Sequence, residues 1–203
     1  MKIMQKHNIK GKDTRLFIVQ RTAEMFNKKG YSGTTMTDVE MITGLSRGAI
    51  YHYFGNKESL ALAVFDYNFE KLCAMVADEM RYSRTFYERL VVYIQVYLHI
   101  AVNDGVLGGS PLFNTASEAD DTNELLTQKV AEAILKKEGH IANIVEMGMK
   151  SGEFKKGTDP QKIAMSILSS LEGGLMISRA TNDLNRMHFA GATVKALVDS
   201  IAI

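Results

Sequence analysis

From Asp13 to Ala202 apolar side chains recur three and four residues apart with few breaks, which restricts this chain to helices packed on helices. Only Pro111 and Pro160 interrupt it as prolines, so long helices are permitted. The first helix is expected from Asp13 to Lys29, with Ile18, Thr22, Met25 and Phe26 on one face and Gly30 as its stop. A second runs from Thr35 to Gly44, where Thr35 and Asp38 have capping-box spacing. A third spans Ser46 to Phe54. Asn56 caps a fourth that reaches Arg81 and turns Leu60, Val64, Leu72 and Val76 inward. Further helices are expected at Thr85–Asn103, Thr122–Ser151, Pro160–Asn182 and Leu184–Ala202. The segment Asp104–Asp121, with Gly105, Gly108, Gly109 and Pro111, reads as a loop. Within it Glu118, Asp120 and Asp121 are expected to cap the Thr122 helix rather than grip a cation. The fold class is all-α, with 203 residues and 46% hydrophobic content sufficient for a real core. A small three-helix head, residues 1–57, precedes a larger helical body, residues 58–203.

The head carries the clearest chemistry. Two short helices joined at Gly44-Leu45-Ser46 form a helix-turn-helix, with Val39, Ile42, Leu45, Ile50 and Phe54 as its core. Ile50 and Phe54 share one face of the second helix, so Arg47, Gly48, Tyr51 and His52 take the other. Arg47 is suited to a guanine edge, and the small Gly48 and Ala49 let the helix sink into a major groove. Tyr51, His52 and Tyr53 offer polar tips, and Lys57 beside the amides after Asn56 suits a phosphate. With Thr35, Thr37 and Ser46 at the helix starts, these residues form the expected DNA-facing set.

Charge supports that assignment. Residues 1–57 hold ten Lys/Arg against four Asp/Glu, a net of +6, whereas the remainder holds 14 against 19, a net of −5. A basic head on an acidic body meets a polyanion with the head alone. An architectural DNA-binder would spread its positive charge more widely. Cys73 is the single cysteine, so no intrachain disulfide forms and a reducing compartment fits. The polar, basic N-terminus lacks the apolar stretch of a secretion signal. The longest apolar run, Leu90–Val102, is broken by Gln95 and His99 and is too short to span a bilayer. A cytoplasmic protein is expected. An enzyme is disfavoured: no two of His7, His52, His99, His140 and His188 have helical metal-pair spacing, and the glycines of 105–109 lack a phosphate loop's Gly-Lys-Ser/Thr ending. No metal or cofactor is expected.

The head residues also resemble a known family. Gly30-Tyr31, Thr34-Thr35, Asp38-Val39, Gly44-Leu45-Ser46, Gly48 through Phe54, and Asn56-Lys57-Glu58-Ser59-Leu60 match the TetR family of bacterial regulators, as do Ala23 and Phe26 upstream. Glu40 and Thr43 depart from it, standing where many members have alanine. In the body, Ser110 through Thr115, Glu118 through Asp121, and Leu171-Glu172-Gly173-Gly174-Leu175 with Arg179 and Asp183 resemble one branch. That branch often has Cys where Ser110 stands, so thiol chemistry there is absent. The resemblance implies a homodimer built on the last two helices, a near-palindromic double-stranded DNA operator, and release by a small ligand in the body.

The body residues fit those implications. Gly173 and Gly174 inside a helix cost about 1 kcal/mol each relative to alanine, which close approach of another helix offsets. Residues 161–182 and 184–202 of two chains are expected to pair, the alternative being tight packing of these helices within one chain. A cavity for a small apolar or amphipathic effector is expected among Phe69, Tyr93, Tyr97, His99, Phe113, Asn114, Met147, Glu172 and Met176.

Overall fold

The structure, a computed structural model, describes residues 11–102, 108–120 and 122–203. The basic tail before Gly11, Gly105 of the expected loop, and Asp121 lie outside the described residues. Nine helices follow in order among those described: α1 Gly11–Gly33, α2 Met36–Thr43, α3 Arg47–Phe54, α4 Lys57–Met80, α5 Phe86–Val102, α6 Pro111–Ala119, α7 Glu124–Ser151, α8 Pro160–Thr181 and α9 Leu184–Ile201. An isolated antiparallel bridge pairs Phe154 with Ala202 and ties the end of α9 to the α7–α8 turn.

Helix ends follow their sequence signals. Thr35 and Asp38 form the reciprocal capping box of α2, and Gly44 ends that helix at φ 69°. Ser46 accepts from Ala49 N to start α3, and Asn56 accepts from Ser59 N to start α4. Asp159 and Pro160 start α8, with proline where its missing N–H costs nothing. Gly30 does break α1, at φ 75° and ψ 177°, although a further turn, Tyr31–Gly33, follows the break.

Two expectations for the connecting segment need correction. Residues 111–119 are helix, not loop, because Pro111 occupies the first turn of α6 and so starts a helix instead of breaking it. Glu118 does not cap α7, a role taken by Asn123, which accepts from Leu126 N. Asp120 is the C-terminal cap of α6. The Glu118 carboxylate instead accepts from Tyr31 N at 2.6 Å and Ser32 N at 2.7 Å. These are amides that the break at Gly30 releases from the helix ladder. A Cβ on Gly30 would lie 2.3 Å from a Glu118 oxygen, so glycine gives both the turn and the room.

Two apolar cores result. The head core joins Ile18, Val19, Ala23, Phe26, Met36, Val39, Ile50 and Phe54 to Leu60, Ala61 and Val64 of α4. The body core takes the rest of α4, from Phe65, Phe69, Leu72 and Val76, and packs it with α5, α7, α8 and α9. Fully buried Leu72, Leu90, Ile141 and Ile167 each contribute about 1.5–3 kcal/mol through apolar burial. Buried Asn68 donates to the Ala23 carbonyl at 2.9 Å and fixes α4 against α1 between the two cores.

Glycines inside helices mark close packing at some positions and not at others. A Cβ on Gly148 of α7 would sit 2.1 Å from the ring of Phe154, itself completely buried. A Cβ on Gly139, exposed on the same helix, would meet nothing. Gly139→Ala should therefore stabilise by about 0.5–1 kcal/mol, whereas Gly148→Ala should destabilise by about 1–3 kcal/mol. Urea unfolding of the two variants checks this pair, and equal shifts of one sign would refute the packing.

Candidate DNA-reading face and body cavity

α3 turns Ile50 and Phe54 into the head core and leaves Arg47, Gly48, Tyr51 and His52 exposed. Ala49 and Tyr53 lie at the edge of that face. A Cβ on Gly48 would meet nothing, so the face is open there. Thr35 is exposed, but its hydroxyl is engaged with Asp38, whose carboxyl falls to about 2 through backbone and side-chain hydrogen bonds from Thr35. Ser46 is likewise engaged as the α3 cap. Thr37 is exposed at the start of α2, and Lys57 lies at the start of α4 with its ammonium 4.4 Å from the Tyr31 ring centre. Of the expected set, Arg47 and Thr37 meet across α2 and α3, while Thr35 and Ser46 hold the helix starts.

The two departures from the family pattern have visible roles. Thr43 donates to Val39 O at 2.6 Å and accepts from Leu45 N, which closes the turn between α2 and α3. Glu40 accepts from Arg47 N at 2.8 Å and pairs with the Arg47 guanidinium at 3.0 Å. Thr37 accepts from the same guanidinium at 3.2 Å. Arg47 is therefore held beside α2 in the free protein, its charge offset by a carboxylate.

In the body, one face of α4 (Phe69, Cys73, Val76, Met80) opposes α5 and α7 across a cavity of about 920 Å³. The expected residues Phe69, Tyr93 and Met147 line it. Tyr97 and Glu172 form a hydrogen-bonded pair, and Tyr97 in turn accepts from Lys137 Nζ at 2.8 Å. Neither Tyr97 nor Glu172 is among the lining residues, and the other four expected residues also lie elsewhere. His99 is exposed, because two residues beyond Tyr97 turns it to the far side of α5. Asn114, on α6 with Phe113, donates to the Asn27 and Gly108 carbonyls and joins body to head. Met176 is exposed on α8.

Sequence reasoning missed Cys73, Arg89, Lys137 and His140 as cavity residues. A signal for Lys137 was present: it interrupts the buried stripe Val130, Ala133, Ile141, Ile144 of α7 at helical spacing. Burial lowers Lys137 to about 8, against the pull of Glu172. Burial, then Arg89 and Lys137, lower His140. Burial raises the Cys73 thiol, so it is a poor nucleophile. Among the described residues no cluster of metal-binding side chains occurs.

Two tests follow from this geometry. Glu40→Ala frees Arg47 and removes a negative charge, so affinity for random-sequence DNA should rise and its log–log salt slope should steepen by about one. An unchanged slope would show that Glu40 does not restrain Arg47. Because the Lys137 pKa is lowered on folding, the unfolded chain binds the extra proton above pH 8. The Lys137 contribution to stability therefore rises with pH from about 8 towards 10.5. Subtracting the pH–stability curve of Lys137→Met should isolate that rise, and parallel curves would contradict the buried ammonium.

Known proteins share this arrangement. Residues 18–64 match the family described as bacterial regulatory proteins, tetR family, and residues 87–194 match the tetracyclin repressor-like C-terminal domain. A TetR-family transcriptional regulator from Cytophaga hutchinsonii is 36% identical with a TM-score of 0.87, over 94% of this chain and 95% of that one. A TetR regulator from Chloroflexus aurantiacus is 32% identical with a TM-score of 0.89, over 95% and 98%. The fold also resembles the transcriptional regulator FadR from Bacillus subtilis, solved in complex with stearoyl-CoA, at 21% identity and a TM-score of 0.73, over 92% and 98%. With a head match that contains α2 and α3, a body match over more than half its length, and an open α3 face, the chain belongs to the TetR family and is a DNA-binding transcriptional regulator.

Proposed function

We propose that this regulator is a repressor, not an enzyme, that grips a near-palindromic operator as a homodimer and lets go when a small apolar or amphipathic molecule fills the body cavity. The observation that carries this reading is the double use of α4. Its first turns complete the head core and its later turns wall the cavity, so a ligand that shifts the wall bears on the reading head. We divide the chain in the same terms, residues 1–57 as reader and 58–203 as effector and dimer domain. The stearoyl-CoA held by the B. subtilis FadR supports an effector role for the body. Action in the cytoplasm fits the described helices, none of which is long and apolar enough to cross a membrane.

The pairing surface is α8 with α9. Gly174 does not itself argue for a partner chain, since its missing Cβ makes room for Ala190 of α9 in the same chain. Gly173 faces open space, and Met165, Met176, Ile177, Leu184 and Phe189 of the same helices are exposed. Such an apolar patch on a chain of this size suits a second copy.

Selection of bound duplexes from random DNA should enrich an inverted repeat whose half-sites are set by the dimer spacing. Coating of DNA without an enriched sequence would favour an architectural role. Light scattering should give twice the 22.6 kDa chain mass at micromolar concentration. Phe189→Glu should shift it towards a monomer and lower operator affinity at least tenfold, and a dimer unaffected by that charge would remove this face from the interface. Glu118→Ala should leave ligand affinity intact but reduce the drop in operator affinity that ligand causes. A full drop would exclude the α6 contact from the coupling.

A further inference from the structure

The cavity between α4, α5 and α7 is apolar in shape and one-signed in charge. Four cationic side chains line it, namely Arg81, Arg89, Lys136 and Lys137, and no Asp or Glu does. Arg81 is paired with Asp78 at 3.1 Å. Among the described residues the other three form no ion pair. Arg89 lies over the Phe86 ring at 4.9 Å, and Lys136 over the Phe69 ring at 5.8 Å. Lys137 donates to the phenol of Tyr97, which is hydrogen-bonded to Glu172, and the Glu172 carboxylate also attracts Lys137 directly. Apart from Asp78 beside Arg81 and the pull of Glu172 on Lys137, no carboxylate offsets these cations from within the cavity lining, and a bound anion would do so.

The groups gather at one place. Arg89 and Tyr93 are one turn apart on α5, and Lys137 and His140 are one turn apart on α7. Tyr93 OH and His140 Nδ1 are 2.7 Å apart across the gap. Partial burial, with Arg89 and Lys137 close by, shifts His140 towards its neutral form. In the tautomer whose Nδ1 accepts from the Tyr93 hydroxyl, the remaining imidazole N–H is a donor. The α4 wall of the cavity, Phe69 to Met80, is an apolar strip about 16 Å long.

We propose that this cavity takes an anionic amphiphile, its acidic head held by Arg89, Lys137 and His140 and its apolar tail lying along α4. This rests on the cavity being the effector site, and it names the chemical class of the effector. A carboxylate on a free acyl chain and the phosphates of an acylated carrier share the required chemistry. Arg89 is the specificity-determining residue to probe, since it is partly exposed and its removal breaks no ion pair.

The test is calorimetric titration of the whole protein, without DNA, at pH 7 and below the ligands' aggregation concentrations. Decanoate, decan-1-ol and decyltrimethylammonium carry one tail and three heads. Decanoate should bind at least about tenfold more tightly than the alcohol, in line with a charge-assisted hydrogen bond, and the cation should bind most weakly. Arg89→Gln should bring decanoate to within about threefold of the alcohol, and Arg89→Lys should restore most of the preference. Decanoyl-coenzyme A beside free coenzyme A assigns the source: tighter binding of the acylated carrier than of decanoate places phosphates at the head, and the reverse order places a free carboxylate there. Equal binding of decanoate and decanol by the wild type, tightest binding of the cation, or an unchanged preference in a folded Arg89→Gln protein would overturn the proposal. Because binding is read without DNA, failure of a bound anion to release operator would count against the repressor mechanism and leave the head-group preference standing.

Discussion

One helix serves two cores, and much else in the molecule depends on it. α4 gives Leu60, Ala61 and Val64 to the head and Phe65, Phe69, Leu72 and Val76 to the body, without a break between them. A head of α1 to α3 alone would be short of apolar partners, because α2 and α3, at 8 residues each, offer little surface to bury. The shared helix supplies that surface, and in doing so it removes the freedom that a flexible linker would give. Asn68 sits at the changeover and ties α4 to the middle of α1.

Polar contacts add a second tie. At Gly30 the backbone leaves the helix and presents the amides of Tyr31 and Ser32, which the Glu118 carboxylate accepts. Charge-assisted bonds of this kind are worth roughly twice a neutral one, and here they join α6 of the body to the head. Beside them Asn27 and Asn114 exchange bonds with backbone carbonyls across the same junction. Deeper in the body the Lys137–Tyr97–Glu172 chain runs from the cavity wall on α7 through α5 to α8, the helix proposed to pair with a second copy. Cavity, reading head and the proposed pairing helix are thus joined by short runs of directional contacts and by rigid helices.

The sequence made most of this legible, for identifiable reasons. Capping residues and positive-φ glycines are local signals, so Thr35–Asp38, Gly44, Ser46 and Asn56 marked the reading head closely. The stripe of Leu60, Val64, Leu72 and Val76 was equally clear, but nothing in its spacing says that it serves two cores. α6 was hidden because glycines before Pro111 read as loop, although proline also begins helices. Glu118 was misplaced because its partners lie 86 and 87 residues away. The cavity was half legible. Apolar and aromatic residues on α4, α5 and α7 were recognisable, whereas His99 and Met176 needed the rotation of each helix to be known. Arg89, Lys137 and His140 become a cluster only when α5 and α7 are brought together.

Native-state hydrogen exchange along α4 tests the shared helix most directly. If one helix holds both cores, the amides from Leu60 to Leu72 open together, with one free energy and one dependence on denaturant. If Leu60 to Val64 instead exchange with α2 and α3 in a separate, easier opening that leaves Phe69 to Val76 protected, head and body are independent units, and no ligand in the cavity can act on the reading head through α4.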